Sequence, residues 1–359
     1  MTSFTERFSR SILIIAATGY TLVAGLLSCL ALERLARWVE VYQGDYLWRE
    51  QEYMQILVPD LYVGKGPGRL LLCGSSEARE AFLPDRFGRH LPSLRAYQNS
   101  SAHSGLPDLL VMLRYKERVY GTQALPEAMV VGITTRYISN IQSIPMSLLF
   151  DGINRFSPHF RIKTNGGQPE LIRKTFAESL VSRARLTRML TFRYRPALYG
   201  LMRALLVSLR PELAHDFHLR IGLTPSRFHH RTPWKPEERR TYLEEGNWRS
   251  VHGWDVARDR DRIHRDLAEL VDFAARRGIA LYVVNLPELS GNRALYQTGV
   301  YEAYLREVDK ALSRTPFLDL RGFLPDENFY DATHLTLAGS VKVTDRVAQF
   351  IAADRAEAR

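Results

Sequence analysis

Cysteine is nearly absent from this chain, with two in 359 residues, Cys29 and Cys73. One lies in an apolar N-terminal run and the other in a run that reads as a buried strand. No obvious disulfide and no cysteine-built metal site is therefore expected. A chain of this length can form one large domain with insertions, so the shortage does not fix a compartment. No repeat or low-complexity tract interrupts the sequence. Acids are the minority charge: 49 lysines and arginines stand against 39 acids, giving +10 and a pI near 9.6. That balance favours anionic surfaces such as lipid headgroups, acidic glycans or nucleic acid. Hydrophobic content of 45% and charged content of 25% are ordinary for a folded globular chain.

Long charge-free runs are scarce, with one exception. No charged residue occurs from Ser11 to Leu32, and as a helix this run reaches about 33 Å, enough for a hydrocarbon core of about 30 Å. A transmembrane helix is expected over 11–32. Arg7 and Arg10 precede it, while Glu33, Arg34, Arg37 and Glu40 follow with cancelling charges. The positive-inside rule then leaves residues 1–10 in the cytoplasm and the bulk of the chain beyond the membrane. A cleaved signal peptide would show a shorter apolar core ending in small residues. Leu26-Leu27-Ser28-Cys29 loosely resembles a lipoprotein cleavage box, but Leu30 and Ala31 suit an uninterrupted helix better. Residues 33–68 read as a stalk, ending in the loop signal Gly64-Lys65-Gly66-Pro67-Gly68.

Beyond the stalk, strand-like and helix-like runs alternate. Strands are expected at Arg69 to Cys73, Leu94 to Gln98, Ala128 to Ile133, Ile279 to Asn285 and Phe317 to Leu320. Helices are expected at Glu77 to Phe82, Pro107 to Val119, Arg262 to Arg277 (closed by Gly278), Tyr301 to Leu312 and Leu337 to Ala352. Such alternation implies an α/β fold with a parallel sheet and helices on both faces. The rhythm is lost in an insertion at 139–255, expected to be mostly helical from Glu170 to Val207 and loop-like around Pro225 to Pro236. Arg173, Arg183, Arg185, Arg188, Arg193, Arg195, Arg203 and Arg210 fall there among Leu, Phe and Tyr. A solvated helix face and a surface for anionic lipid or acidic polymer both fit that pattern.

Two short motifs carry chemistry. The apolar run Leu70 to Cys73 stops at Gly74-Ser75-Ser76, and Asp331-Ala332-Thr333-His334 stands some 250 residues later. Alone, the first is a tight turn requiring small side chains and the second holds a surface or core histidine. Together they supply a nucleophile, a base and an acid at the carboxyl ends of strands, where α/β sheets bind ligands. Three-residue spacing lets Asp331 engage one imidazole nitrogen of His334 while the other faces the Ser76 hydroxyl; Ser75 is the rival nucleophile.

On these two blocks, in this order, the chain resembles the SGNH, or GDSL-type, hydrolase superfamily over Arg69 to Ile133 and Arg262 to Ala352. Its layout is also similar to the DltD protein of teichoic-acid D-alanylation and to the alginate O-acetylation proteins. The resemblance implies a flavodoxin-like parallel sheet with helices on both faces, and an oxyanion hole built from a second and a third block. Here the second reads Gln98-Asn99-Ser100-Ser101-Ala102-His103-Ser104-Gly105, so Ser104 or Gly105 stands as the backbone donor and His103 as a loop residue, while Asn99 either substitutes for the asparagine of the third block or caps a turn. The third puts Thr134 where the family carries asparagine. Arg79 and Arg136 are candidates for an anionic substrate or for pairing with acids. The expectation is a bacterial inner-membrane, single-pass protein whose periplasmic domain transfers an O-linked acyl group to or from a cell-envelope polysaccharide. The resemblance also implies a membrane-embedded acyltransferase partner. No cofactor, metal or nucleic acid is called for. A membrane-tethered esterase or lysophospholipase, and a non-catalytic polymer-binding subunit, are the alternatives.

Overall fold

The computed structural model describes residues 68–100, 105–135, 138, 148–165, 168–192, 233–245, 256–296 and 298–357, with scattered positions between 18 and 31. The expected stalk lies outside these residues apart from Gly68, and most of the expected transmembrane helix does too. Positions described between Thr18 and Ala31 are helical; among the described residues no helix is long and apolar enough to cross a membrane. The chain divides into two compact units, Met1–Trp48 with Thr187–Ser226, and Arg49–Leu186 with Arg227–Arg359. The second contains all the strands below.

In chain order the strands are β1 (Arg69–Cys73), β2 (Arg95–Gln98), β3 (Ala128–Ile133), β4 (Phe160–Asn165), β5 (Gln168–Arg173), β6 (Ala280–Asn285) and β7 (Phe317–Asp319). Five of them form one sheet in the order β2-β1-β3-β6-β7, and every pairing in it is parallel. With the β4–β5 hairpin set aside this is the doubly wound order 2-1-3-4-5, whose direction of growth reverses between β1 and β3. β1 and β3 are buried along their whole length. That is why Arg-Leu-Leu-Leu-Cys and Ala-Met-Val-Val-Gly-Ile read as runs rather than alternations.

Helices cover both faces. Leu70, Leu72, Val130, Tyr282 and Val284 share one core with Phe82, Phe87, Val343, Val347 and Ile351, contributed by or flanking α1 (Ser76–Ala81), α2 (Pro84–His90) and α10 (Leu337–Glu357). The alternate residues Leu71, Cys73, Met129, Val131 and Val283 are fully buried on the opposite face. There α3 (Leu106–Tyr120), α7 (Val256–Arg276) and α9 (Val300–Leu312) pack together, and bury Leu113, Ile263, Leu267 and Val308. Each such side chain contributes about 1.5–3 kcal/mol relative to exposure. The sheet is thus the rigid support for whatever its carboxyl edge carries.

The expected strands and helices of the sheet region are found with ends shifted by a few residues. The insertion needs a correction. It holds α4 (Leu148–Phe156), the antiparallel β4–β5 hairpin, α5 (Phe176–Phe192) and α6 (Pro236–Glu245), so Glu170 to Arg173 is strand and not helix. Two-residue periodicity decides it: Ile162 sits between exposed Arg161 and Lys163, and Leu171 is buried. Between the paired Asn165 and Gln168 the sequence reads Gly166-Gly167, a hairpin-turn dipeptide. The helix starts only after Thr175, whose Oγ accepts the Glu178 N–H at 3.4 Å while the Glu178 carboxylate accepts the Thr175 N–H at 2.8 Å, a reciprocal cap. Lys174 ties this lobe together by donating to the carbonyls of Asn154 and Ser157 at 2.6 and 2.8 Å and to Ser182 Oγ at 2.7 Å. The remainder of the expected helical run, from residue 193, lies outside the described residues.

Candidate active site

β1 ends at the switch point, and glycine makes the exit possible. Gly74 has φ +141°, and a Cβ there would stand 2.4 Å from Ala78 Cβ and 2.7 Å from the Gly132 carbonyl. A Cβ on Gly132 would in turn meet Ala78 Cβ at 2.8 Å. Helix α1 therefore presses against β3 with no room for side chains at either glycine. Ser75 caps α1, its Oγ accepting the Glu77 N–H at 3.3 Å and pairing with the Glu77 carboxylate. Ser76 is the first helical residue and is half-buried. Ser75 is thus occupied in capping, and Ser76 presents the hydroxyl.

The second motif sits on a loop pinched by a bridge between Phe329 and Leu335 and by the Tyr330 N–H on the His334 carbonyl at 2.7 Å. Asp331 is buried. One carboxylate oxygen accepts the N–H groups of Thr333 and His334 at 2.8 and 2.7 Å. The other faces His334 Nδ1 at 2.8 Å, and His334 Nε2 lies 3.0 Å from Ser76 Oγ. Burial pushes the Asp331 carboxyl pKa upward, but the hydrogen bonds and charge of His334, with the Thr333 N–H, outweigh it and hold the group below its ordinary value. The result is an ionised acid, an oriented imidazole and a half-buried hydroxyl in one hydrogen-bonded chain.

Residues 258 positions apart meet because α10 is fastened to α1. Ser340 Oγ donates to the Glu80 carbonyl at 2.6 Å and Thr344 Oγ to the Ala81 carbonyl at 3.0 Å. Thr344 Oγ also accepts the Leu83 N–H at 3.0 Å. These bonds satisfy the last carbonyls of the helix that Ser76 opens, using the helix that follows His334. Asp345 adds a bidentate pair with Arg86 at 3.0 and 2.5 Å.

Three supports of the loop have no signal in the sequence. Asn292, in the short helix α8 (Ser290–Ala294), donates to the Ala332 carbonyl at 2.8 Å. Arg239 of α6 donates to the carbonyls of Asp326 and Phe329 at 3.1 and 2.7 Å. The Trp234 N–H reaches the Tyr330 carbonyl at 2.8 Å, and its ring packs on Tyr242 and Tyr330 at 5.2 and 6.4 Å. Part of the insertion therefore straps the loop that bears Asp331 and His334. In sequence Arg239 lies in Glu-Glu-Arg-Arg, a pattern that reads as solvated surface.

Other expected site residues divide. Gly105 donates its N–H to the Asp108 carboxylate at 2.6 Å, so it caps α3 and is removed from the set of oxyanion donors. Asn99 is buried, its amide nitrogen against Met112 Sδ and its carbonyl accepting from Lys116 at 3.0 Å; its amide is engaged inside the fold. Thr134 is buried at the carboxyl end of β3, with its own carbonyl accepting the Ile138 N–H at 3.1 Å. Its neighbour Thr135 bonds Tyr296, which donates to Glu288 at 2.8 Å. Arg79 pairs with Glu80 at 3.1 Å, the acid-pairing alternative. Ser104, His103 and Arg136 lie outside the described residues. Cys73 is fully buried and burial pushes its thiol far up, which makes it an inert core residue.

A model of an uncharacterised protein family matches residues 262–355, the segment that includes Asp331 and His334. No curated protein matches the chain.

Proposed function

We propose that this chain is a serine acyltransferase of the SGNH type, anchored by residues 11–32 in a bacterial inner membrane and acting in the periplasm on O-linked acyl groups of a cell-envelope polysaccharide. The observation that carries the reading is the hydrogen-bond chain Ser76 Oγ, His334 Nε2, His334 Nδ1, Asp331 Oδ2, with links of 3.0 and 2.8 Å. Ser76 Oγ attacks the carbonyl of an acyl ester or thioester and passes its proton to His334 Nε2. Asp331 holds the Nδ1–H and stabilises the imidazolium. The tetrahedral intermediate then collapses, its leaving oxygen or sulfur takes the proton from Nε2, and acyl-Ser76 remains. A sugar hydroxyl next gives its proton to His334 and attacks the acyl carbon; the second intermediate collapses, the bond to Ser76 Oγ breaks and His334 returns the proton to that oxygen, which frees Ser76.

Charge on the intermediate needs fixed donors. The first N–H groups of a helix have no intrahelical acceptor, and the Ser76 N–H stands at that position in α1, so we assign it to the oxyanion. Thr134, just past the carboxyl end of the neighbouring strand β3, is the second candidate. Transfer is favoured over hydrolysis by the family layout that the resemblance implies, and a membrane-embedded acyltransferase is the partner that goes with it.

The test is turnover of an acetyl ester by the full chain in detergent, with and without a polysaccharide acceptor. The expected result is acceptor-dependent release with acetyl recovered on the polymer. Rapid release indifferent to acceptor would replace transfer by esterase action, and no release above the Ser76→Ala variant would point to a binding subunit.

A further inference from the structure

Helix α5 turns large apolar side chains outward. Among its described side chains, Phe176 to Leu186, Ser182 is buried, while Phe176, Leu180 and Val181 are 86%, 59% and 51% exposed. At helical spacing Phe176, Leu180 and Ala184 form one row and Ala177 and Val181 the next, all exposed. Arg183 and Arg185, both exposed, fall at the two edges of that strip. The inward side needs no apolar stripe because Lys174 anchors it through Ser182 and the carbonyls of Asn154 and Ser157. Exposing such a strip is unfavourable in water unless something covers it.

We infer that this face of α5 lies on an anionic lipid surface, with the apolar strip in the interface and the arginines at the headgroups. Charge argues for this occupant. Residues 148–192 carry eight lysines and arginines against three acids, and Arg155, Arg161, Lys163 and Arg173 are exposed on the same lobe. An apolar strip edged by arginines is the arrangement of interfacial helices. An acidic polymer would meet the charges but not the exposed phenyl and isobutyl groups. The inference shares the membrane location of the proposed function but none of its chemistry.

The experiment uses the full chain with Cys29→Ala and Leu180→Cys, labelled with an environment-sensitive dye and reconstituted into vesicles of phosphatidylcholine with or without phosphatidylglycerol. A parallel label replaces Asp272, 69% exposed on α7. Nitroxide lipids are expected to quench the dye at 180 in anionic vesicles, at about 5–10 Å from the headgroup boundary, and to leave the dye at 272 bright. Arg183→Glu with Arg185→Glu is expected to abolish the quenching, since each arginine lost weakens partitioning about fivefold. A dye at 180 that stays unquenched in anionic vesicles overturns the inference. So does a dye shielded only when soluble acidic polysaccharide is added, or one that self-quenches between copies. If the chain fails to float with vesicles the membrane anchor is lost, and quenching by added vesicles still judges α5 separately.

Discussion

In the parallel sheet Leu70, Leu72, Val130 and Tyr282 turn apolar groups inward, while in the insertion α5 turns Phe176, Leu180 and Val181 outward and buries Ser182. The two regions hold themselves together by different means. The sheet region rests on burial, with β1 and β3 wholly enclosed; the α4–α5 lobe buries Ile153 and Leu171 and adds one lysine that bridges a helix end to its neighbour. Burial over a long sheet tolerates the loss of one contact, whereas a polar hub does not. The difference also separates tasks: Ser76, Asp331 and His334 belong to the sheet region, and among the described residues of the insertion Trp234 and Arg239 hold Tyr330, Phe329 and Asp326 of the loop beside Asp331.

That contrast can be broken at graded strength. Asp331→Asn removes the ionised acid and is expected to lower acyl transfer about ten-thousandfold, with the melting transition close to that of the unmodified protein. Steady-state rates and thermal denaturation measured side by side check it. Arg239→Met withdraws two hydrogen bonds from the loop and is expected to cost about a hundredfold in kcat, with KM little changed. Arg239→Lys should restore part of the rate, and a loss confined to KM would show that the strap binds substrate instead.

Lys174→Met leaves its acceptors unsatisfied and is expected to destabilise the α4–α5 lobe by about 1–3 kcal/mol. Limited proteolysis within 148–192 should accelerate while reaction at Ser76 is unaffected. The smallest effect is the pH response. Asp331 has a folded pKa below its unfolded one, so its stabilisation is complete above the ordinary carboxylate range near about pH 4 and is lost as pH falls through the folded value. Denaturant titrations from neutral pH downward should show Asp331→Asn losing this part of the slope. An unchanged slope would mean that the carboxylate is not held by His334 and Thr333.

The sheet region was legible because its elements are set by local pattern. Arg69 to Cys73 and Ala128 to Ile133 are unbroken apolar runs, and Pro107 and Gly278 mark a helix start and a helix stop. The motif pair was legible too, since Gly74 and the spacing of Asp331 and His334 are features of the chain itself. What sequence could not give was anything fixed by partners distant in the chain: the Ser340 and Thr344 bonds to α1, the Arg239 strap, or the commitment of Gly105 to Asp108. The hairpin was missed for another reason. Its alternation lies next to a long arginine-rich helix, and the helical period of Phe176 to Phe192 masked the two-residue period before it.

Serine reactivity tests the central claim most directly. The full chain in detergent is exposed to a fluorophosphonate probe, and the modified peptide is located by mass spectrometry. The expected result is covalent phosphonylation at Ser76, abolished in Ser76→Ala and strongly slowed in His334→Ala, with both variants retaining the native melting transition. Labelling at Ser75, or none in the folded native chain, would contradict the account.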